Sequence, residues 1–251
     1  MHVVPQRRLF RAAAALMVMG VRFATGGEPP RELPRAFPSA AGMSTERLGE
    51  IDNVVREALA QDRMPGCVVL VGRHGKLVYL RAFGYRQTTP SRVEMTTDTV
   101  FDLASLTKPI ATATSVMQLV QDGKIDLDER VATYLREFGN RGKEAITVRQ
   151  LLTHLGGLTP DNALADYAEG PAKAWERICG LELRAKPGTE FIYSDVGFIV
   201  LGELVRRVSG EGLDQFAQQR IFQPLAMTET MFQPPAWLRE RAAVTEQRDG
   251  H

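Results

Sequence analysis

Ser105 and Lys108 lie three residues apart in the stretch Phe101-Asp-Leu-Ala-Ser-Leu-Thr-Lys-Pro109. At a helix start this spacing puts a hydroxyl and an amine on one face, one turn apart. A serine hydroxyl is a poor nucleophile until a neighbouring base takes its proton, and an amine so placed can take it. With seven serines and six lysines in the chain, such a pair arises readily by chance, so the spacing decides nothing alone. A second group of interest is Tyr193-Ser194-Asp195. Read by itself it is an ordinary helix start, with Ser194 or Asp195 capping the free amides and Tyr193 acting as a hydrophobic staple.

Other chemistries are excluded by what their sites require. There is no G-x-S-x-G for a nucleophile elbow. Gly72-Arg-His-Gly-Lys76 has the wrong glycine spacing for a phosphate loop, and Leu77 stands where a magnesium-binding hydroxyl belongs. His74 and His154 are far apart and neither has an i, i+4 partner, which argues against zinc. His154, ending the Leu151-Leu-Thr-His run before two glycines, reads as a packed helix-end residue rather than a base. The net charge of +1, with scattered arginines, offers no footprint for nucleic acid. Cys67 and Cys179 read as buried free thiols.

The elements that must position these residues follow from periodicity and punctuation. In a chain of 251 residues with 44% apolar and 24% charged residues, a sizeable core can form. Met43 to Arg63 predicts an amphipathic helix capped by Ser44, with Leu48, Ile51, Val55, Ala58 and Leu59 along one face. Pro65-Gly66 stops it. Cys67–Gly72 and Leu77–Tyr85 then predict a hairpin around Arg73-His-Gly-Lys76. Val100-Phe101 is a short extended piece leading into Ser105, after which a long helix is expected to Asp122-Gly123, with Ala113, Val116, Met117 and Val120 inward. The signal is then almost all helical to about Met231, including apolar helices over Gly197–Val208 and Leu213–Ile221.

The N-terminus reads as an address. Arg7 and Arg8 precede an apolar run from Ala12 to Val21, then Gly26-Gly27 and a Pro-rich stretch. That is the pattern of a signal peptide over residues 1–26, with a twin-arginine flavour, followed by a linker over 27–42. The run is shorter than the roughly 20 residues that span a bilayer. The expectation is therefore an exported protein, periplasmic or secreted, with no stable membrane span after signal cleavage.

In order along the chain stand Ser105-Leu-Thr-Lys108, Leu151-Leu-Thr-His-Leu-Gly-Gly-Leu158 and Tyr193-Ser-Asp195-Val-Gly-Phe-Ile-Val-Leu-Gly202. Together with Asp122-Gly-Lys-Ile-Asp-Leu-Asp128, they resemble the serine hydrolases related to class C β-lactamases and penicillin-binding proteins, over about Met43 to the end. The resemblance implies an α+β fold, an antiparallel sheet flanked by helices with a mostly helical subdomain over about 110–231. The catalytic domain would be 43–251. It implies Ser105 as the acylated nucleophile, with Lys108 and Tyr193 around it, no metal or organic cofactor, and a small-molecule or peptidoglycan-like acyl substrate. Lys108 can be the base if burial lowers its pKa, and Tyr193 if neighbouring cations lower its own. In this family's pattern the tyrosine usually has the base or shuttle role.

Two departures qualify what the resemblance implies. Asp195, a substrate-binding position, stands where lactam-cleaving members usually carry asparagine. A carboxylate cannot donate a hydrogen bond to a substrate carbonyl, and it would keep a nearby Lys108 charged. An esterase or D-peptidase-like substrate is therefore expected over efficient lactam cleavage. Second, the family's Lys-Thr-Gly or His-x-Gly strand, which supplies the other oxyanion amide, does not occur between Gly202 and His251. Since a two-strand hairpin needs further strands, the expectation is a fold incomplete at its C-terminal side and weak in activity. The alternative reading is a non-catalytic acyl-binding or peptidoglycan-sensing module, or a degenerate relative.

Overall fold

A computed structural model describes residues 33–245; the expected signal segment lies outside the described residues. Helix α1, Thr45–Ala60, starts where Ser44 accepts the Arg47 amide, and it buries Leu48, Asp52 and Val55. Strands β1, Gly66–Arg73, and β2, Lys76–Gln87, pair antiparallel through a tight turn in which His74 and Gly75 both have positive φ (52° and 66°). Two such residues match the right-handed twist of the strands, and glycine takes the second at no steric cost. A short third strand that the residue pattern did not announce, β3, Val93–Glu94, pairs with β2 and gives the order β1-β2-β3. Asp52 fastens α1 to this sheet: Tyr79 Oη donates to it at 2.6 Å, and Arg81 and Arg56 pair with it.

Part of the stretch expected as linker joins the sheet. The Ala36 amide donates to the Leu77 carbonyl and the Leu77 amide to the Pro34 carbonyl, both at 3.0 Å. These two bonds fix the chain's approach to α1.

The expected long helix after Ser105 is one continuous run in three hydrogen-bond registers. A 3₁₀ turn, Ala104–Leu106, leads through Thr107 into a π-helical turn, Lys108–Ala113, and then into α2, Thr114–Gln121. Pro109 lies at its start, where the missing N–H costs nothing because first-turn donors have no helical partner anyway. The wider turn rotates the apolar face. Ala111, Thr112, Ser115, Val116 and Leu119 are buried, while Met117, expected inward, is 45% exposed.

The helical block follows as α3, Val131–Tyr134; α4, Val148–Leu152; α5, Pro171–Gly180; α6, Asp195–Ser209; α7, Leu213–Ala217, continuing as a π-turn over Gln218–Phe222; and α8, Ala236–Arg239. Its centre is α6, which buries Val196, Gly197, Val200, Leu201, Leu204 and Val205 and packs against α2, α3, α4 and α7. Those residues share one core with Val116 and Leu119 of α2 and Val148 and Leu151 of α4. The two helices that would carry the chemistry are thus locked together behind it. Both cysteines are free thiols, as expected, but only Cys179 is buried; Cys67, on β1 of the small sheet, is half-buried rather than buried. No helix among the described residues is long and apolar enough to cross a membrane.

Truncating Leu119, which is fully buried between these helices, should cost about 2–5 kcal/mol of stability by urea denaturation. Met117→Ala, on the exposed side of the same helix, should stay within about 0.5 kcal/mol. Equal losses would contradict the rotated face.

Candidate active site

The segment before Ser105 is held at both ends. Val100 donates to the Arg241 carbonyl at 3.0 Å and accepts from the Ala243 amide at 2.8 Å, in a short parallel bridge. Asp102 Oδ1 accepts the Ala104 amide at 2.8 Å, and Ala104 takes a left-handed φ of 43°. This corner turns the chain sharply and leaves Ser105 exposed at the first turn of the helical run. Its amide belongs to the first-turn set that lacks a helical acceptor, where a developing negative charge is favoured.

The other side comes from the segment before α6. Ser194 caps that helix, accepting the Gly197 amide at 3.1 Å, and its own hydroxyl donates to the Thr159 carbonyl at 2.7 Å. The Asp195 amide donates to the Pro160 carbonyl at 2.7 Å. Residues 154–160 therefore grip the chain on either side of Tyr193. In the same loop Gly157 allows a close approach to another segment: with φ +71°, a Cβ there would lie 2.1 Å from the Ala185 carbonyl oxygen.

All four residues singled out from the sequence meet at this place. Lys108 Nζ donates to Ser105 Oγ at 3.2 Å, pairs with the Asp195 carboxylate, and lies 4.8 Å from the centre of the Tyr193 ring. The Lys108 side chain is only 14% exposed, while Asp195 is 45% exposed. A cleft of about 580 Å³ opens beside Ser105, lined also by Thr112, Phe198, Ile199 and Leu213.

The charges divide the roles. Burial is the largest single influence on Lys108 and pushes its pKa down, but Asp195 and Tyr193 together outweigh it and leave the value above 10.5. Lys108 is thus an ammonium at neutral pH, and the alternative in which burial makes it a neutral base is not the one this geometry favours. Tyr193 moves the other way. First the Lys108 ammonium and then the Ser105 hydroxyl hold its phenol below the ordinary 10, against burial and the Asp195 charge. His154 is a packed residue, as expected, but it packs against the site: its ring centre is 4.5 Å from that of Tyr193 and 5.1 Å from that of Phe198. Among the described residues, no cluster of His, Cys, Asp or Glu could hold a metal ion.

The Beta-lactamase family profile matches residues 51–251. The chain belongs to the beta-lactamase family. It is 32% identical over 213 residues to the N-acetylmuramyl-L-alanine amidase of Bacillus subtilis (strain 168), covering 77% of this chain and 48% of that protein. Among solved structures it resembles EstCE1, described as a hydrolase with promiscuous acyltransferase activity, with a TM-score of 0.65 and 30% identity over 78% of this chain and 55% of that one. It also shares its fold with a class C beta lactamase, at a TM-score of 0.69 and 23% identity, over 79% of this chain and 55% of that one. The chain spans about half the length of the curated relatives it matches.

Lys108→Met removes the cation that is the largest influence lowering the Tyr193 pKa and leaves the Asp195 anion beside it. Tyrosinate absorbance, taken as the difference from Tyr193→Phe, should show the Tyr193 midpoint rising in this variant. A downward shift would contradict the assigned electrostatics.

Proposed function

We propose that this protein is a serine hydrolase working through an acyl-enzyme on Ser105, and that its substrates are esters or D-peptide-like amides rather than efficiently cleaved lactams. The observation that carries this reading is the convergence of Ser105, Lys108 and Tyr193, with the lysine pKa raised and the tyrosine pKa lowered. A phenol whose pKa is lowered by an adjacent ammonium gives up its proton more readily than an ordinary tyrosine and can serve as the base. Tyr193 takes the Ser105 proton as Oγ attacks the substrate carbonyl carbon. The carbonyl oxygen becomes an oxyanion facing the Ser105 amide at the helix start. Collapse of this intermediate breaks the bond to the leaving group, which receives the proton from Tyr193. Water, giving its proton to Tyr193, then attacks the acyl carbon; the bond to Ser105 Oγ breaks, Oγ takes the proton back from Tyr193, and the carboxylic acid product leaves.

Lys108 transfers no proton in this scheme. Its charge lowers the tyrosine pKa, and its hydrogen bond points Ser105 Oγ into the cleft. Asp195 keeps that charge in place and, being a carboxylate, offers no donor to a lactam side-chain carbonyl. The amidase among the relatives and the Arg7-Arg8 leader with its apolar run support a cell-wall-like acyl substrate met outside the cytoplasm, in the periplasm or after secretion.

Hydrolysis of p-nitrophenyl esters by the purified chain should vanish in Ser105→Ala and fall by roughly 10²–10⁴-fold in Tyr193→Phe. The rate should rise with pH through the Tyr193 pKa, below 10, and decline as Lys108 loses its charge above 10.5. Nitrocefin turned over faster than the esters would overturn the substrate assignment, and full activity in Ser105→Ala would overturn the mechanism.

A further inference from the structure

His154 is a residue that the proposed chemistry does not use, yet it holds three successive residues of the chain around Tyr193. Its carbonyl accepts the Ile192 amide at 2.9 Å, its Nδ1 accepts the Ser194 amide at 3.1 Å, and its ring lies 4.5 Å from the Tyr193 ring at 31°. Phe191 meets the imidazole edge-on at 5.7 Å and Phe198 lies 5.1 Å away. His154 itself has a left-handed φ of 59°, a conformation uncommon outside glycine, Asn, Asp and His. Both hydrogen bonds and two of the three ring contacts fall on one segment, Phe191–Ser194.

A backbone amide can only donate, so Nδ1 must carry a lone pair and the imidazole proton sits on Nε2. We propose that His154 is a positioning residue for Tyr193: its neutral, Nε2-protonated imidazole accepts the amide after the tyrosine and packs on its ring, while its backbone carbonyl accepts the amide before it, and the imidazole so holds the phenol against Lys108 and Ser105. This rests on the reading of Tyr193 as the base. The groups facing the imidazole are Tyr193 at its ring, with Lys108 and Asp195 beyond. Burial first, then the Lys108 charge, hold the His154 pKa below 6.5, against a smaller opposing pull from Asp195. The acceptor is therefore intact at neutral pH and is lost on acidification, when a protonated Nδ1 would oppose the Ser194 amide.

The test compares two substitutions that both tolerate the backbone conformation. His154→Gly keeps the left-handed φ but removes ring and acceptor, whereas His154→Asn keeps the φ and offers an amide oxygen to the Ser194 N–H. The primary readout is the Tyr193 ionisation midpoint, from tyrosinate absorbance with Tyr193→Phe subtracted. The midpoint should climb toward 10 in His154→Gly and return near wild type in His154→Asn. The rate of Ser105 labelling by a fluorophosphonate should fall on the order of 10- to 100-fold in the glycine variant and recover with asparagine.

An unchanged midpoint in His154→Gly overturns the proposal, and so does an asparagine variant that behaves like glycine. Should the glycine variant fail to fold, the ¹⁵N spectrum of the native imidazole decides instead: a proton on Nδ1 overturns the assignment, and a bare Nδ1 upholds it. The arms also separate the two readings. If Ser105 is never labelled, the proposed hydrolase function fails, while the tyrosine midpoint still decides the role of His154.

Discussion

The Lys108 ammonium is the charge around which the site is arranged. It sits in a mostly buried position, 14% exposed, between a helical run that presents Ser105 and the first turn of α6 that presents Asp195. Removing an ammonium from water is unfavourable, and at this position that cost is the largest single influence on its pKa. The carboxylate of Asp195 and the phenol of Tyr193 offset it and keep the charge. Asp195 also lies at a helix N-terminus, where the backbone favours an anion. Remove the cation and three things weaken together: the tyrosine loses the largest influence lowering its pKa, the serine hydroxyl loses a donor, and the ion pair joining the two helices is gone.

That arrangement depends on packing behind it. Ser105 and Lys108 ride on the run that ends in α2, while Asp195 opens α6, and the two helices share a core of Val116, Leu119, Val196, Val200 and Leu201. The charged cluster contributes little to stability in its own right, because a half-exposed carboxylate is well screened by solvent. Apolar burial holds the backbones at a fixed separation, and the charges then use that separation. The π-turn belongs to the same division of labour. It lets Val116 and Leu119 face the core while Lys108, about two to three turns earlier, faces the cleft. Such turns often mark functional stretches of helices.

Much of this was legible from residue types. The Ser105–Lys108 spacing, the Ser44 and Ser194 caps, the hairpin turn at His74-Gly75 and the apolar face of α6 are all local patterns, carried by residues within one or two turns of each other. The electrostatic consequence of Asp195 could also be argued in advance, since a carboxylate near a lysine favours its charge. What local pattern could not carry depends on partners far along the chain. His154 reads as an ordinary helix end until Ser194, 40 residues later, donates to its ring. The rotation that exposes Met117 needs the π register, and β3 is two residues long, too short to leave a periodicity. Ala104 takes a left-handed φ with no glycine to signal it. A histidine followed by two glycines, His-Leu-Gly-Gly157, was the available hint that this loop makes close backbone contacts.

The central claim is that Ser105 becomes covalently acylated with Tyr193 as its base. Mass spectrometry of the intact chain, trapped with a slowly hydrolysed acyl donor and then digested, tests it directly. The account predicts one acyl group on the peptide containing Ser105, accumulating at least 100-fold more slowly in Tyr193→Phe. An acyl group on any other residue, or equal accumulation in the tyrosine variant, would contradict it.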